Sequence, residues 1–395
     1  MKKLFCVFAF LIPLIIHAQT TKTDVLILGN SNAAFAAGVQ ASQSGASTTI
    51  LTQRDGFNLT DFKSWPLGGV KQAFEKNARK SSKLADDVAL PEFTKQMVNA
   101  IIKKWADSSK FLSVINNLQY YEVKRSGNGW ELKLTPEKSI KAKVLIVTDN
   151  IDKILPSLKI QTLNPSETAK INYAENLYKT TVAGISGSAK FLPLQNLLIE
   201  NQENMLYIRA DNFEIGQTAG VTAAKTVLLK SKTSLSNLKG IQKELLSNKL
   251  PLMPFEDVKI TDSNWLAIQK IGITGILKAV LKDDKCLFNA EKNVTYDEIK
   301  QPLKDYYYKA QIWFDDHQNV HIDLENTISL ACYVGNKSVE ATKIELQNKW
   351  NKSYKFQSKY DLKRILTRRE FSVIVNDYLK PFDDVNVDRS GRVIR

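Results

Sequence analysis

The chain has 395 residues, with 55 Lys and Arg against 41 Asp and Glu, a net charge of +14 and only three cysteines and three histidines. Residues 19–285 hold neither a cysteine nor a histidine. That excludes a Ser-His-Asp hydrolase, a dithiol redox centre and a histidine-built zinc site from this stretch, and leaves carboxylates, tyrosines, lysines or a bound cofactor to do any chemistry there.

The N-terminus has the three parts of a cleavable secretion signal. Lys2 and Lys3 give the positive end, Leu4 to Ile16 an apolar run, and His17-Ala18-Gln19 a small residue at the cut. The run rises only about 20 Å as a helix, short of the roughly 30 Å core of a bilayer. Residues 1–18 are therefore expected to be a signal peptide, placing the mature chain in the periplasm or outside the cell. No later stretch has the apolar length of a transmembrane span. Export makes nucleic acid a poor partner. The basic balance points to acidic glycans or an anionic envelope surface, or else to a solvated lysine-rich surface. Cys286 and Cys332 remain after cleavage, in a compartment that permits disulfides. They read either as a pair or as two buried free thiols.

Thr23 to Leu28 suits a strand buried on both faces. Gly29-Asn30-Ser31-Asn32 follows as a turn, Ala33 to Ser44 as a helix of small residues, and Ser47 to Thr52 as a second strand. This is one strand–helix–strand unit with a right-handed connection. Pro91 to Ala106 reads as an amphipathic helix. Leu112 to Val147 reads as β-rich, with a hairpin turn at Gly127-Asn128-Gly129. Phe191 to Leu198 and Met205 to Arg209 look extended, and Gly216 to Leu229 forms a second helix of small residues. Near residue 232 the texture turns helical and lysine-rich, so the expected domains are 19–232 and 233–395.

The first turn fits a dinucleotide fingerprint in part. Gly29-x-Ser31-x-x-Ala34 has the glycine of the tight turn and a tolerable last position, but serine where pyrophosphate needs glycine. The acid that binds ribose hydroxyls is replaced by Gln53. Three segments together resemble the exported FAD-dependent oxidoreductases that carry a helical tail. They are Asp24 to Gly29 with its Ala-rich helix, Lys141 to Asp149, and Ile215-Gly216-Gln217-Thr218-Ala219-Gly220. The resemblance implies an α/β fold: an FAD/NAD(P)-binding Rossmann-like domain followed by a mainly α-helical, S-layer-homology-like domain. It also implies FAD as cofactor. Gly29, Asn30, Ser31, Asn32 and Ala34 would lie at the pyrophosphate and Gln53 at the ribose. Gly216, Gln217, Thr218 and Gly220 would lie at the flavin. Close helix packing is the other reading of the last group. The departures are Asp149 in a glycine position, Gly68-Gly69 as a displaced glycine pair, and a short interval from Asp149 to Gly216 where a substrate domain is expected. They imply a trimmed member that has kept or lost FAD. An oxidoreductase and a non-catalytic envelope or glycan-binding protein both remain open, and no catalytic residue is identifiable.

The tail's order of Phe255-Glu256-Asp257-Val258, Trp265 to Gly275, Phe288 and Thr295-Tyr296-Asp297-Glu298 resembles an S-layer-homology module. Thr295-x-x-Glu298 and Thr367-x-x-Glu370 read as capping boxes starting the closing helices of two related units. The resemblance implies glycan binding beside the second threonine, at Arg368. A basic run from Lys343 to Arg369, interleaved with Trp350, Tyr354, Phe356 and Tyr360, adds Trp350 as a candidate sugar platform. His317 and His321 are four apart, but further metal ligands are not evident.

Overall fold

The computed structural model describes residues 20–394 except 61, 63–66, 135–137, 149–153, 155–157 and 159–166. The expected signal peptide and Asp149 lie outside the described residues.

The run Val25-Leu26-Ile27-Leu28, at most 1% exposed, is the buried half of a strand, β1 (Thr20–Leu28), whose first three residues are exposed. Ser31 then caps α1 (Asn32–Gln43), which leads to β2 (Thr48–Leu51), paired parallel to β1. Two helices follow, α2 (Gly69–Ser82) and α3 (Lys95–Ser108), before β3 (Leu112–Ile115) joins β2 in parallel. The chain next forms a meander of β4 (Tyr120–Ser126), β5 (Gly129–Leu134) and β6 (Lys138–Val147). Gly127, at φ 59°, makes the hairpin turn the sequence predicts.

The long strand β6 pairs parallel with β1 from Thr20↔Ser139 to Leu28↔Val147. Its far edge is shared. The first half carries β5 antiparallel, and Leu145 to Val147 carries β10 (Met205–Tyr207) parallel. A small sheet of order β7-β9-β8 lies between them in sequence, from β7 (Ala169–Lys170), β8 (Thr181–Ile185) and β9 (Lys190–Pro193). Helix α4 (Phe213–Leu228) follows β10.

The remainder is mainly helical: α5 (Leu238–Ser247), α6 (Trp265–Thr274), the hairpin β11 (Val280–Lys282) with β12 (Lys285–Leu287), α7 (Tyr296–Tyr306), α8 (Tyr308–Asp316), α9 (Leu324–Gly335), α10 (Val339–Lys349), α11 (Arg368–Tyr378), α12 (Pro381–Asp384), and a last hairpin of β13 (Asn386–Val387) and β14 (Val393–Ile394). The texture change near residue 232 is no break in the core. One buried apolar cluster runs from Val25 and Phe35 through Leu245 and Trp265 to Phe382. Polar bonds cross the same seam. Gln242 of α5 donates to the carbonyls of Lys179 (3.0 Å) and Thr181 (2.9 Å).

The two Thr-x-x-Glu turns differ. Thr367 and Glu370 form a complete capping box at the start of α11, whereas Thr295 starts α7 with no side-chain cap. The Glu298 carboxylate, which would supply the other half of that box, ion-pairs with Arg368 instead. The turns also meet in space, with the Val294 N–H donating to the Leu366 carbonyl at 2.9 Å and the Arg368 N–H to that of Lys292 at 2.8 Å.

The tightest crossing is α4 over α1. A Cβ on Gly216 would stand 2.5 Å from the Ala33 carbonyl oxygen, and one on Gly220 would stand 2.4 Å from that of Ala37. Both obstacles are backbone, so neither can rotate away. Gly220→Val is expected to lower stability by at least about 1–3 kcal/mol through overpacking, read as a fall in the urea midpoint; an unchanged midpoint would contradict this crossing.

Candidate functional site

Strand β1 lies between β2 and β6, so the chain's connections leave it in opposite directions. In open α/β sheets such a switch point opens a crevice outside the carboxyl ends of the strands. Here the crevice is bounded by Gly29 to Asn32 after β1, Gly56 to Thr60 after β2, Thr148 after β6 and Asp211 after β10.

Gly29 turns the chain out of β1 with φ 150°, its N–H held by the Leu51 carbonyl at 3.1 Å. Asn30 is tied to the neighbouring loop, donating from Nδ2 to the Gly56 carbonyl (3.3 Å) and accepting at its own carbonyl from Asn58 N–H (3.0 Å). Ser31 Oγ accepts from the Ala34 N–H at 3.3 Å and donates to Thr148 Oγ1 at 3.3 Å. Asn32 bridges to Thr60 and donates to Asp211 Oδ2 at 3.3 Å, while the Ala33 N–H donates to Asp211 Oδ1 at 3.0 Å.

Two amides of the α1 N-terminus, those of Ala33 and Ala34, are thus met by side chains of the protein itself. A helix N-terminus favours an anion, and the carboxylate of Asp211 supplies one. A dinucleotide pyrophosphate would need these same amides. It would meet a side chain at Ser31 where the fingerprint has glycine, and a charge at Asp211. Two unit charges 4 Å apart repel by about 4 kcal/mol at the effective dielectric near a protein surface. An FAD held through this turn would have to share it with the Ser31 hydroxyl and the Asp211 carboxylate.

The other expected cofactor residues are placed differently. Gln53 is half-buried just beyond β2, where its carbonyl accepts from Gln119 Nε2 at 3.1 Å. Gly216 and Gly220 lie against α1 rather than against open space. Gln217 Oε1 accepts from the Val70 N–H at 3.0 Å, and Thr218 Oγ1 donates to the Val182 carbonyl at 2.7 Å. Gly68-Gly69, expected as a relic of a glycine pair, opens α2. Gly69 has φ 47° and its N–H donates to the Asn248 carbonyl at 3.0 Å. The first group of residues therefore converges on the crevice, and the second packs inside the fold, with the buried Nε2 of Gln217 left without a hydrogen-bond partner. Asp211 escapes sequence reading. An acid just before a helix reads as local to that helix, and its reach across to α1 is set by the tertiary crossing.

The glycan candidates are corrected by burial. Arg368 is 3% exposed, donates to the carbonyls of Phe288 (2.8 Å) and Lys278 (2.7 Å), pairs with Glu298 and lies over the Phe288 ring at 4.7 Å. Burial pulls its guanidinium down to about 10. Trp350 is 0% exposed, with Nε1 donating to the Ser358 carbonyl and its ring packed edge-on to Phe356 and Tyr360. Both are core residues and present nothing to a sugar. His317 stacks on Trp313, ring centroids 4.3 Å apart. No group of three metal-ligating side chains occurs among the described residues. Cys286 and Cys332 are buried free thiols, and burial pushes Cys286 up to about 12. Among the described residues no helix is long and apolar enough to cross a membrane.

No family model matches the chain, and no curated protein matches it. Parts of solved structures do. Bacillithiol disulfide reductase of Staphylococcus aureus matches at 13% identity over 33% of this chain and 39% of its own, with a TM-score of 0.22. The p-nitrophenol 4-monooxygenase of Pseudomonas putida DLL-E4 gives 13% identity, 38% and 46% coverage and a TM-score of 0.24. THI4 of Thermovibrio ammonificans gives 13% identity, 53% and 90% coverage and a TM-score of 0.31. The chain thus spans less than half of the first two. At these scores the architecture rests on the strand order itself, β3-β2-β1-β6 with β10 on β6. The domain is Rossmann-like. A helical region follows it.

A cavity of about 800 Å³ lies where α5 begins, walled by the β9–β10 connection and the C-terminal hairpin. Lys239 lines it, with Nζ 4.2 Å from the Phe382 ring centroid. Burial pulls this amine down to about 8, against the attraction of Asp383.

Two predictions follow from these placements. Arg368→Ala strands Glu298 and two carbonyls, and is expected to cost about 3–5 kcal/mol in a denaturant titration, as breaking buried ion pairs does; a wild-type midpoint would contradict the buried role. An unfolded lysine titrates near 10.4, so from about pH 8 to 10 the unfolded chain binds more protons at Lys239 than the folded one. Its contribution to stability therefore rises with pH across that window. Lys239→Met should remove this part of the rise in melting temperature, and parallel wild-type and variant profiles would contradict it.

Proposed function

We propose that this chain is an exported, non-catalytic protein of the bacterial cell envelope, which keeps an FAD-oxidoreductase-like Rossmann domain as a scaffold. One observation carries the reading: at the α1 N-terminus, where such domains hold a pyrophosphate, Asp211 takes the Ala33 N–H and Ser31 the Ala34 N–H. The small residues of α4 support it. They serve helix packing, which needs no flavin; Thr218 is engaged by Val182 and Gln217 Oε1 by Val70, while the buried Gln217 Nε2 has no hydrogen-bond partner.

The N-terminal sequence supports export, since its basic end, short apolar run and small residue at the cut are those of a secretion signal. The helical tail is part of the same scaffold, because its core is continuous with that of the sheet. On this reading its S-layer-like pattern maintains interior contacts, with Arg368 as a staple between the two capping turns.

The test is direct. Expressed with its leader, the protein should fractionate outside the cytoplasmic membrane, purify colourless, and show no rise in melting temperature with excess FAD, because a ligand stabilises only the state it binds. A flavin absorption spectrum that co-purifies with the protein would overturn the non-catalytic reading in favour of the redox one.

A further inference from the structure

The large sheet ends at β3, and among the described residues no strand pairs with its outer edge. Native edge strands are guarded against stray pairing by charges, proline or a bulge. The edge at the other end of the strand order, β4, is guarded in this way. Glu122, Lys124 and Arg125 stand in it, and its register slips between Tyr120 and Glu122. β3 reads Leu112-Ser113-Val114-Ile115, without charge or proline, and its register with β2 is regular. Only its shortness guards it.

The ladder decides which backbone groups face outward, because a parallel strand bonds to one neighbour through alternate residues. The Thr48 N–H donates to the Phe111 carbonyl at 2.8 Å, and the Thr52 N–H to that of Ile115 at 2.9 Å. Leu112 and Val114 therefore turn their backbone groups away from β2. The Leu112 N–H is taken by Ser109 Oγ at 3.2 Å. The Leu112 carbonyl and both groups of Val114 have no partner among the described residues.

These groups border a groove of about 460 Å³ between β3 and α3, within the usual range for ligand sites. It runs from Asn99 to Asp107 on α3, about 12 Å at the helical rise. On the other wall it runs from Leu112 to Asn116, about 13 Å at the rise of a strand and enough for roughly four extended residues. The short turn from Ser109 to Phe111 folds the two walls side by side in opposite directions, so Asp107 lies toward Leu112 and Lys103 toward Val114. Ile102 and Ala106 give the groove an apolar floor on the side where Leu112 and Val114 join the core. Lys103 and Asp107 stand exposed on its rim, and neither has an ion-pair partner among the described residues. Lysine ahead of an acid is the weaker order for a pair on one helix, which leaves both for a guest.

We propose that this groove takes an extended peptide segment as an added antiparallel strand beside β3, with an acidic residue opposite Val114 and a basic residue two places on, opposite Leu112. Strand addition draws affinity from main-chain bonds and specificity from alternate side chains. The acidic residue accepts from the Val114 N–H and donates to the Val114 carbonyl, and the basic residue donates to the Leu112 carbonyl. Both guest side chains then share the α3 side, about 7 Å apart along the strand, against about 6 Å along the helix from Lys103 to Asp107. Acid meets Lys103 and base meets Asp107. The site is separate from the switch-point crevice and does not depend on whether FAD binds there.

The test is fluorescence anisotropy of two labelled peptides, Thr-Glu-Val-Lys-Val-Thr and Thr-Glu-Val-Glu-Val-Thr, titrated with the purified protein at low salt. Wild type should bind the first at least about threefold more tightly than the second, since an exposed attraction becomes a repulsion at Asp107. Asp107→Lys should reverse that preference. N-methylation of the first peptide at its glutamate nitrogen should abolish binding, because that N–H meets the Val114 carbonyl. Val114→Pro removes an N–H that β2 does not use, at an edge where proline is tolerated, and should cost at least about tenfold. If Val114→Pro melts early, the reversal in Asp107→Lys decides, since a misfolded protein loses both peptides alike. No binding of either peptide, equal binding by wild type and a stably folded Val114→Pro, or an unreversed preference in Asp107→Lys overturns the proposal. A concentration-dependent dimer in sedimentation, lost in Val114→Pro, gives the edge to a second copy of the chain and also overturns it.

Discussion

The rest of the molecule depends on how closely α4 crosses α1. With no Cβ at Gly216 or Gly220, the two helices meet backbone to backbone, against Ala33 and Ala37. That contact fixes the start of α4 beside the start of α1, and so brings the loop ahead of α4 over the amides at the strand switch point. Asp211 reaches the Ala33 N–H because of this crossing. A larger residue at either glycine would move both the packing and the cap.

The same arrangement decides how the crevice can be used. A phosphate-binding turn works by leaving amides and a positive helix end free for an anion. In this chain Ser31 spends its hydroxyl on one amide and Asp211 its charge on another. The loops around the turn are further tied by Asn30 to Gly56 and by Asn32 to Thr60. The architecture of a dinucleotide site is present, with two of its helix-start amides taken by Asp211 and Ser31.

The first strand–helix–strand unit was legible because local pattern and tertiary role coincide there. A short apolar run must be buried on both faces, and small residues can lie tight on a sheet. The hairpin at Gly127 and the capping box at Thr367 were legible for the same reason, since each is made by residues adjacent in sequence. Helix α2 is not legible, because Gly68-Gly69 reads as a displaced glycine pair and not as the start of a helix docked on Asn248. Arg368 is placed at a glycan only by the S-layer-homology resemblance, which matches a position and says nothing of its burial. Only the folded tail shows the carbonyls of Phe288 and Lys278 and the carboxylate of Glu298 converging on it. Asp211 was invisible for the complementary reason, its partner lying far away in the chain.

The most direct measurement of the central claim follows the backbone amides of Ala33 and Ala34 by heteronuclear NMR while FAD is added. The account predicts that both resonances stay in place with FAD, and that the Ala33 resonance moves when Asp211 is replaced by alanine. A saturable shift of both resonances on adding FAD to the wild-type protein would show that the helix start is open to pyrophosphate, and would contradict it.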